Sequence, residues 1–443
     1  MNLSVRSYLL LLWLGCTLLL AWPGMAPSPA PARMPASAAN TAPRPTLAAA
    51  KSYDTPHLRV HYAQSGADAP PAADENQNGV PDYVELIAAA GERSWRVLIE
   101  ELAWPPPAPD ADLGGDLRTD IYVRDLGGAY LGWSARDNRS CGDNPRTPQR
   151  ERVACSAFLS IHNHLRRPGL DSSDLIQLSV AHEFMHIVQH GIDSAEPADW
   201  MWEAWAVWAE EQVFDEINAY LHFLPPLFAA PESSFESYPY AAAVLPLWLG
   251  EQFGPALARD VWLAAIEADG VQALDAALRR RQLSLRRVLL DYGVALAVRA
   301  PCPALAPYCW QEGEAFPAAA VQGSLSAPAR WESGAGQSLH PLGRTILRLQ
   351  TDAAARVRLS TRNRGQAMTL QVLQLRAGAR PRLRLFEAIT QAGVAEITLP
   401  PPGPDETQSI LITPSLTGGG IGFVVEVEAL AELPLFLPLM MRR

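Results

Sequence analysis

LDSSDLIQLSVAHEFMHIVQHGI, residues 170–192, is the stretch on which the reading of this 443-residue chain turns. Ser172 or Ser173 is the expected N-cap of a helix and Gly191 its expected C-cap, with Leu175, Leu178, Phe184 and Val188 along an apolar stripe. Each helical residue turns about 100°, so His182 and His186 project about 40° from one another and can share one ion. Glu183 stands beside the first of them, where its carboxylate can reach a metal-bound water and take its proton. HEFMH therefore supplies ligand, base and ligand of the H-E-x-x-H pattern. His190 lies on the same face but about 12 Å along the axis from His182, too far for the same ion, and is expected as a polar helix end beside the negative pole.

A catalytic zinc needs a third protein ligand and an open position, whereas two ordinary core or surface histidines need neither. The next helix, DWMWEAWAVWAEEQVFDEINAY over 199–220, offers Glu203 as a lone carboxylate among Trp200, Met201, Trp202, Ala204 and Trp205. An unpaired charge on that apolar side would cost several kcal/mol, roughly, so Glu203 calls for a cation and zinc is the expected one. Glu210 returns to nearly the same face two turns later, where it can hold a histidine ligand from behind; the exchange of roles between Glu203 and Glu210 is the competing assignment. Glu211 is expected in solvent.

In these two segments the chain resembles the zinc metallopeptidases of the gluzincin type, in which HExxH is followed by W-x-x-E-[GA]-x-A-x-[WY]-x-E; the matching residues are Trp200, Glu203, Ala204, Ala206, Trp208 and Glu210. It is most similar to exported bacterial metalloproteases that also carry N-G-x-P-D-Y-x-E upstream and a β-rich C-terminal part, and the resemblance covers roughly residues 52–260. It implies zinc on His182, His186 and Glu203, with Glu183 as general base. It also implies a tyrosine or histidine that steadies the oxyanion; Tyr240 is the first candidate, with Tyr238 and His222 behind it. The strand SAFLSIHN before the metal helix is expected as the cleft edge, lined by His162 and His164. One departure is the 17-residue interval from His186 to Glu203, shorter than in the best-known gluzincins, which bears on the shape of the substrate pocket.

DENQNGVPDYVE, residues 74–85, fits the calcium-loop pattern D-x-[DN]-x-[DN]-G-x5-E at Asp74, Asn76, Asn78, Gly79 and Glu85, with Asp82 at the ninth position. Pro81 removes a backbone donor that paired loops use, so a lone structural calcium site capping the following helix is expected; an Asx-rich turn without an ion is the competing reading.

Outward from these motifs, residues 1–25 read as a signal peptide or an uncleaved anchor, and an apolar run shorter than a spanning helix needs favours cleavage. Residues 26–51, rich in Pro, Ala, Ser and Thr, read as a solvated linker or pro-region. HLRVHYA (57–63), TDIYVRDL (119–126) and CSAFLSIHN (155–163) alternate as strands, and helices are expected over 81–104, 240–253, 258–265 and 270–295. The fold class is thus α+β: a zincin-like domain over 52–315, with a mixed sheet whose edge strand lies over the active-site helix and then a helical subdomain. A β-sandwich over 320–432 follows, signalled by short alternating runs, and an apolar and basic tail over 433–443. Removal of the signal leaves Cys141, Cys155, Cys302 and Cys309, whose short separations favour the disulfides 141 to 155 and 302 to 309 in an oxidising compartment.

A net charge of −11 argues against nucleic acid and for cations. The leading expectation is a secreted or cell-surface, monomeric zinc metalloendopeptidase acting on protein or peptide substrates, with structural calcium. The alternatives are a non-catalytic calcium- and zinc-binding surface adhesion protein, which contacts a cell surface or glycan through its C-terminal domain, and a zinc hydrolase of a non-peptide bond.

Overall fold

Alternating apolar residues in the first third of the chain build a six-stranded sheet against which the motif helix packs. The computed structural model describes residues 41–127, 130–166, 169–334, 339–378, 380–416 and 422–431. The signal peptide and the tail expected at the two ends lie outside them. The sheet strands are β1 (Thr41–Ala42), β2 (Ala50–Asp54), β3 (Leu58–Ala63), β4 (Thr119–Arg124), β5 (Gly132–Asp137) and β6 (Ala157–His162), in the order β1-β5-β6-β4-β3-β2. β3, β4 and β6 run parallel, whereas β5 is antiparallel to β6 and β2 to β3. The sheet is therefore mixed.

The solvated linker expected over 26–51 is corrected from Thr41 onward. β1 pairs with β5, β2 pairs with β3, and Arg44 is held by Asp110, Asp120 and Asp137, all buried. One guanidinium among three buried carboxylates fastens this strap where apolar periodicity is absent, which is why hydrophobic patterning did not find it.

Helix α1 (Asp82–Trp95) continues as a wider π-helical turn over Arg96–Glu101, so the expected 81–104 helix stops at Glu101, short of the buried Trp104. Helix α2 (Ser172–Asp193) is buried on every side from Leu178 to Asp193, between β5 and β6 on one side and α1 and the next helix on the other. Its N-cap is Asp171, whose side chain accepts from Ser173 N, and it runs past Gly191 to a C-cap at Ser194. The stronger acceptor takes the cap, and burial carries the helix through the glycine. Helix α3 (Asp199–Val213) is likewise buried almost all round, with Trp202, Trp205 and Trp208 at its core; a helix that is apolar on all faces belongs in the interior.

The helical part continues with α4 (Pro225–Ala229), α5 (Val244–Phe253), α6 (Ala256–Ala265), α7 (Gly270–Arg280) and α8 (Leu285–Val298). The single helix expected over 270–295 is broken by Gln282 at φ +61° and restarts where the Ser284 side chain caps Arg287 N. Two short strands, β7 (Ala300–Pro301) and β8 (Cys309–Trp310), pair beside the Cys302–Cys309 disulfide; Cys141 and Cys155 form the other.

The C-terminal part contains β9 (Gly323–Ser326), β10 (Ala329–Glu332), β11 (Thr345–Gln350), β12 (Ala355–Thr361), β13 (Met368–Arg376), β14 (Arg382–Ile389), β15 (Val394–Leu399), β16 (Glu406–Pro414) and β17 (Phe423–Ala429). They form sheets of order β10-β17-β12-β15 and β14-β13-β16-β11-β9. Leu347, Val372 and Ile410 from one sheet share a core with Val357, Leu399 and Val425 from the other, as alternation over half-buried strands dictates. The outer face of the larger sheet meets α8 through Ile346, Leu373 and Leu411 against Val294 and Val298.

Candidate metal centre

Helices α2 and α3 are joined only by Ser194–Ala198, and their contact brings the two motif segments face to face. Trp202 Nε1 donates to Glu196 O at 3.0 Å, and Trp205 Nε1 donates to Ala258 O at 2.8 Å, fixing the rotation of α3 about its axis. Glu196 in turn accepts from Ala198 N at 2.8 Å and Gly270 N at 3.2 Å, tying the starts of α3 and α7 together. Burial pushes its carboxyl up to about 7, opposed by those two backbone donors.

In this frame His182, His186 and Glu203 each present a ligand atom within 4.8 Å of the others, and all three are buried. His182 Nδ1 lies 2.6 Å from Glu210 Oε1. A carboxylate only accepts, so Nδ1 donates to it, while Nε2 faces Glu203 Oε2 at 3.3 Å. His186 Nδ1 lies 2.7 Å from Gln189 Oε1, while Gln189 Nε2 donates to Trp202 O at 3.1 Å. That second bond orients the amide, and the amide orients His186. Both histidines thus turn Nδ1 to a fixed oxygen partner. Glu203 lies in the group with the two histidines, and Glu210 lies against His182 Nδ1.

Glu183 is buried beside the first residue of β5. A Cβ placed on Gly132 would stand 2.5 Å from Glu183 Cγ and 2.9 Å from Oε1, so glycine is what lets the strand approach. Tyr240 lies near His182, ring centroids 6.2 Å apart and planes nearly parallel, and packs on Phe223. His222 instead turns to Ala219 O within its own turn. Tyr238 packs partly buried against the main core.

The expected cleft edge is corrected. β6 is interior, paired on both sides with β4 and β5, and β5 is the strand that passes Glu183. β1 reaches only Arg136 and Asp137, so Gly132 to Ala135 have no strand neighbour on that side among the described residues. β5, antiparallel to β6, covers that side of it, which alternation in SAFLSIHN does not reveal. His162 accepts from Leu126 N at 3.0 Å at the strand end, and His164 is exposed.

His190 is also corrected. It is buried, its Nδ1 shares a 2.8 Å hydrogen bond with Ser194 Oγ, and its ring packs on Trp202. Burial, with His186 adding to it, holds its pKa down to about 3, so it is a neutral core residue and not a charged helix end. Glu211, expected in solvent, is buried as well.

The Asp74–Glu85 loop folds its side chains inward. Asp74 accepts from Asn78 N at 3.1 Å and Gly79 N at 2.9 Å, and Asn76 Oδ1 accepts from Asn78 N at 3.1 Å. Asp82 accepts from Glu75 N, and Glu85 receives the amides of Asn76 at 2.9 Å and Asn78 at 2.6 Å. Gly79 has φ +84°, the left-handed turn the pattern requires. The structure therefore gathers Asp74, Asn76, Asn78, Asp82 and Glu85 where the turn enters α1, with the two asparagines exposed and the three carboxylates half-buried.

Sequence reasoning missed Gln189, Gly132 and Arg44. Gln189 had a signal, since it stands one turn beyond His186; Gly132 and Arg44 act across distant segments and had none.

No known family model matches the chain, and no curated protein does. Among solved structures it shows a likeness to CorA, a surface-associated copper-binding protein important in copper acquisition by Methylomicrobium album BG8. The identity is 11%, over 25% of this chain and 98% of that one, with a TM-score of 0.18, a likeness too slight to bear on fold or function. No helix among the described residues is long and apolar enough to cross a membrane.

Proposed function

We propose that the protein is an exported zinc-dependent metalloendopeptidase on a zincin-like scaffold. The observation that carries this reading is the buried set His182, His186 and Glu203, with each histidine's Nδ1 occupied by an oxygen acceptor. Glu183, Glu203 and Glu210 stand buried around the two imidazoles, a concentration of carboxylates that a cation would balance, and the nitrogen and oxygen donors suit zinc. The residues present fit that ion: His182, His186 and Glu203 would hold it. When bound, zinc polarises a carbonyl and lowers the pKa of water.

The chain's own groups do the rest. Glu183 takes the proton from the attacking water and returns it to the leaving amine. Tyr240 stands on the His182 side, where a phenol can donate to a developing oxyanion. The open stretch of β5 from Gly132 offers backbone groups to an extended peptide, which favours cleavage within a chain. The Asp74–Glu85 loop is read as a structural calcium site that ties the chain after β3 to α1, and the two disulfides suit an exported chain.

The test is metal analysis together with peptide-library cleavage of the wild type and Glu183→Gln. Stoichiometric zinc in both, and hydrolysis only in the wild type, is the expected result. A chain that binds no zinc, or that binds zinc and cleaves no peptide, overturns the reading.

A further inference from the structure

One position beyond Glu210, α3 carries another buried acid. Glu211 is only 6% exposed, and its Oε1 has no hydrogen-bond partner. Its carboxylate and those of Asp215 and Glu312 each present an oxygen within 4.8 Å of the others. Oxygens that share a calcium ion at 2.3–2.6 Å lie at most about 5 Å apart, so the spacing is that of one ion.

Glu312 comes from a distant part of the chain and is held firmly. It follows β8, whose position is fixed by the Cys302–Cys309 disulfide and by Cys302 N donating to Trp310 O at 2.9 Å. Tyr220 Oη donates to Glu312 Oε2 at 3.0 Å, and the neighbouring Gln311 Nε2 donates to Asp215 Oδ1 at 3.3 Å. These donors aim two of the acids while the third, on α3, is aimed by the helix.

The electrostatics point the same way. Burial comes first, and then Glu312, Asp215, Glu210 and Glu216 add their charges, together pushing the Glu211 carboxyl up to about 9. Arg93 pairs with Glu216 at 3.2 Å on the exposed side. A buried carboxylate among four others needs a proton or a cation. Oxygen-only ligands with a half-buried and an exposed member select a hard cation that reaches the site from solvent.

We propose that Glu211, Asp215 and Glu312 form a calcium site that ties the C-terminal end of α3 to the disulfide-closed segment around Glu312. The site shares no ligand with the histidine cluster and stands whether or not that cluster binds zinc.

The experiment uses the full-length chain, stripped of calcium with EGTA and titrated with calcium chloride alone, with bound calcium, melting temperature and zinc content read together. The Glu85→Gln background removes the contribution of the Asp74–Glu85 loop. In that background a single calcium still binds, with Kd on the order of 10⁻⁴ to 10⁻³ M or tighter, and raises the melting temperature. Adding Glu312→Gln or Asp215→Asn weakens it roughly ten-fold or more while zinc content is unchanged. Glu211→Gln, which neutralises the buried charge without losing volume, folds without calcium and no longer gains from it. A Glu85→Gln chain that binds no calcium, or an affinity unmoved by Glu312→Gln and Asp215→Asn together, overturns the proposal and assigns Glu211 a proton instead.

Discussion

The α2–α3 cluster and the Asp74–Glu85 loop both match metal-binding sequence patterns, yet they are built on opposite principles. In the cluster every donor is buried, and each histidine is aimed by a partner that itself is fixed: Glu210 behind His182, and Gln189, anchored on Trp202 O, behind His186. In the loop the donors are half-buried or exposed and bond mostly to each other and to nearby backbone, as when the amides of Asn76 and Asn78 meet Glu85. Buried polar groups are costly unless completed, so each donor of the cluster is held in one arrangement by a fixed partner. Exposed ones can be completed by water or by neighbours, so the loop's geometry is compatible with an ion without requiring one.

That contrast can be broken from its strongest side first. Glu183→Gln is expected to lower peptide hydrolysis by about 10²–10⁴-fold with zinc retained, measured as kcat/KM on a fluorogenic peptide. Next, Glu210→Gln and Gln189→Leu touch no ion themselves, but are expected to weaken zinc about 10–100-fold in competition with a chelator. If either leaves affinity unchanged, the buried cluster is no more preorganised than the loop.

A smaller effect concerns pH. The His190 pKa in the folded chain, about 3, lies below its ordinary value of 6.5, so the unfolded chain binds the extra proton between those values. The stability this group supports is complete above pH 6.5 and falls as pH drops toward 3, by about 1.4 kcal/mol per unit. Urea unfolding at pH 7, 6 and 5 should show a flatter decline for His190→Asn than for wild type. Smallest is Asn78→Ala in the loop: without calcium it should cost at most about 1 kcal/mol, as exposed hydrogen bonds do, and with calcium present the loss should grow. An equal loss in both conditions would make the loop a plain Asx turn.

Much of this was legible because it is local. Four-residue spacing puts His182 and His186 on one face of a helix, and seven-residue spacing returns Glu210 to the side of Glu203. Alternation marked most strands of both sheet regions, and short cysteine separations gave both disulfides. Helix ends were less secure, because Asp171 outcompeted the serines for the cap and burial carried α2 through Gly191. His190 and Glu211 were misplaced for one reason. Polarity and helix position suggest solvent, but α2 and α3 are enclosed on all sides, and a sequence pattern cannot say how many faces its neighbours cover.

By itself, then, the sequence determined the residue types, their helical phase and the α+β succession, since these follow from periodicities of a few residues. Only the tertiary structure decided that β5 rather than β6 is the strand passing Glu183, and that Arg44 joins three aspartates from distant segments. It alone also decided that Glu312 comes to meet Glu211. Those contacts join segments far apart along the chain, and they arise when burial of the apolar core fixes where each segment lies, which no local spacing encodes.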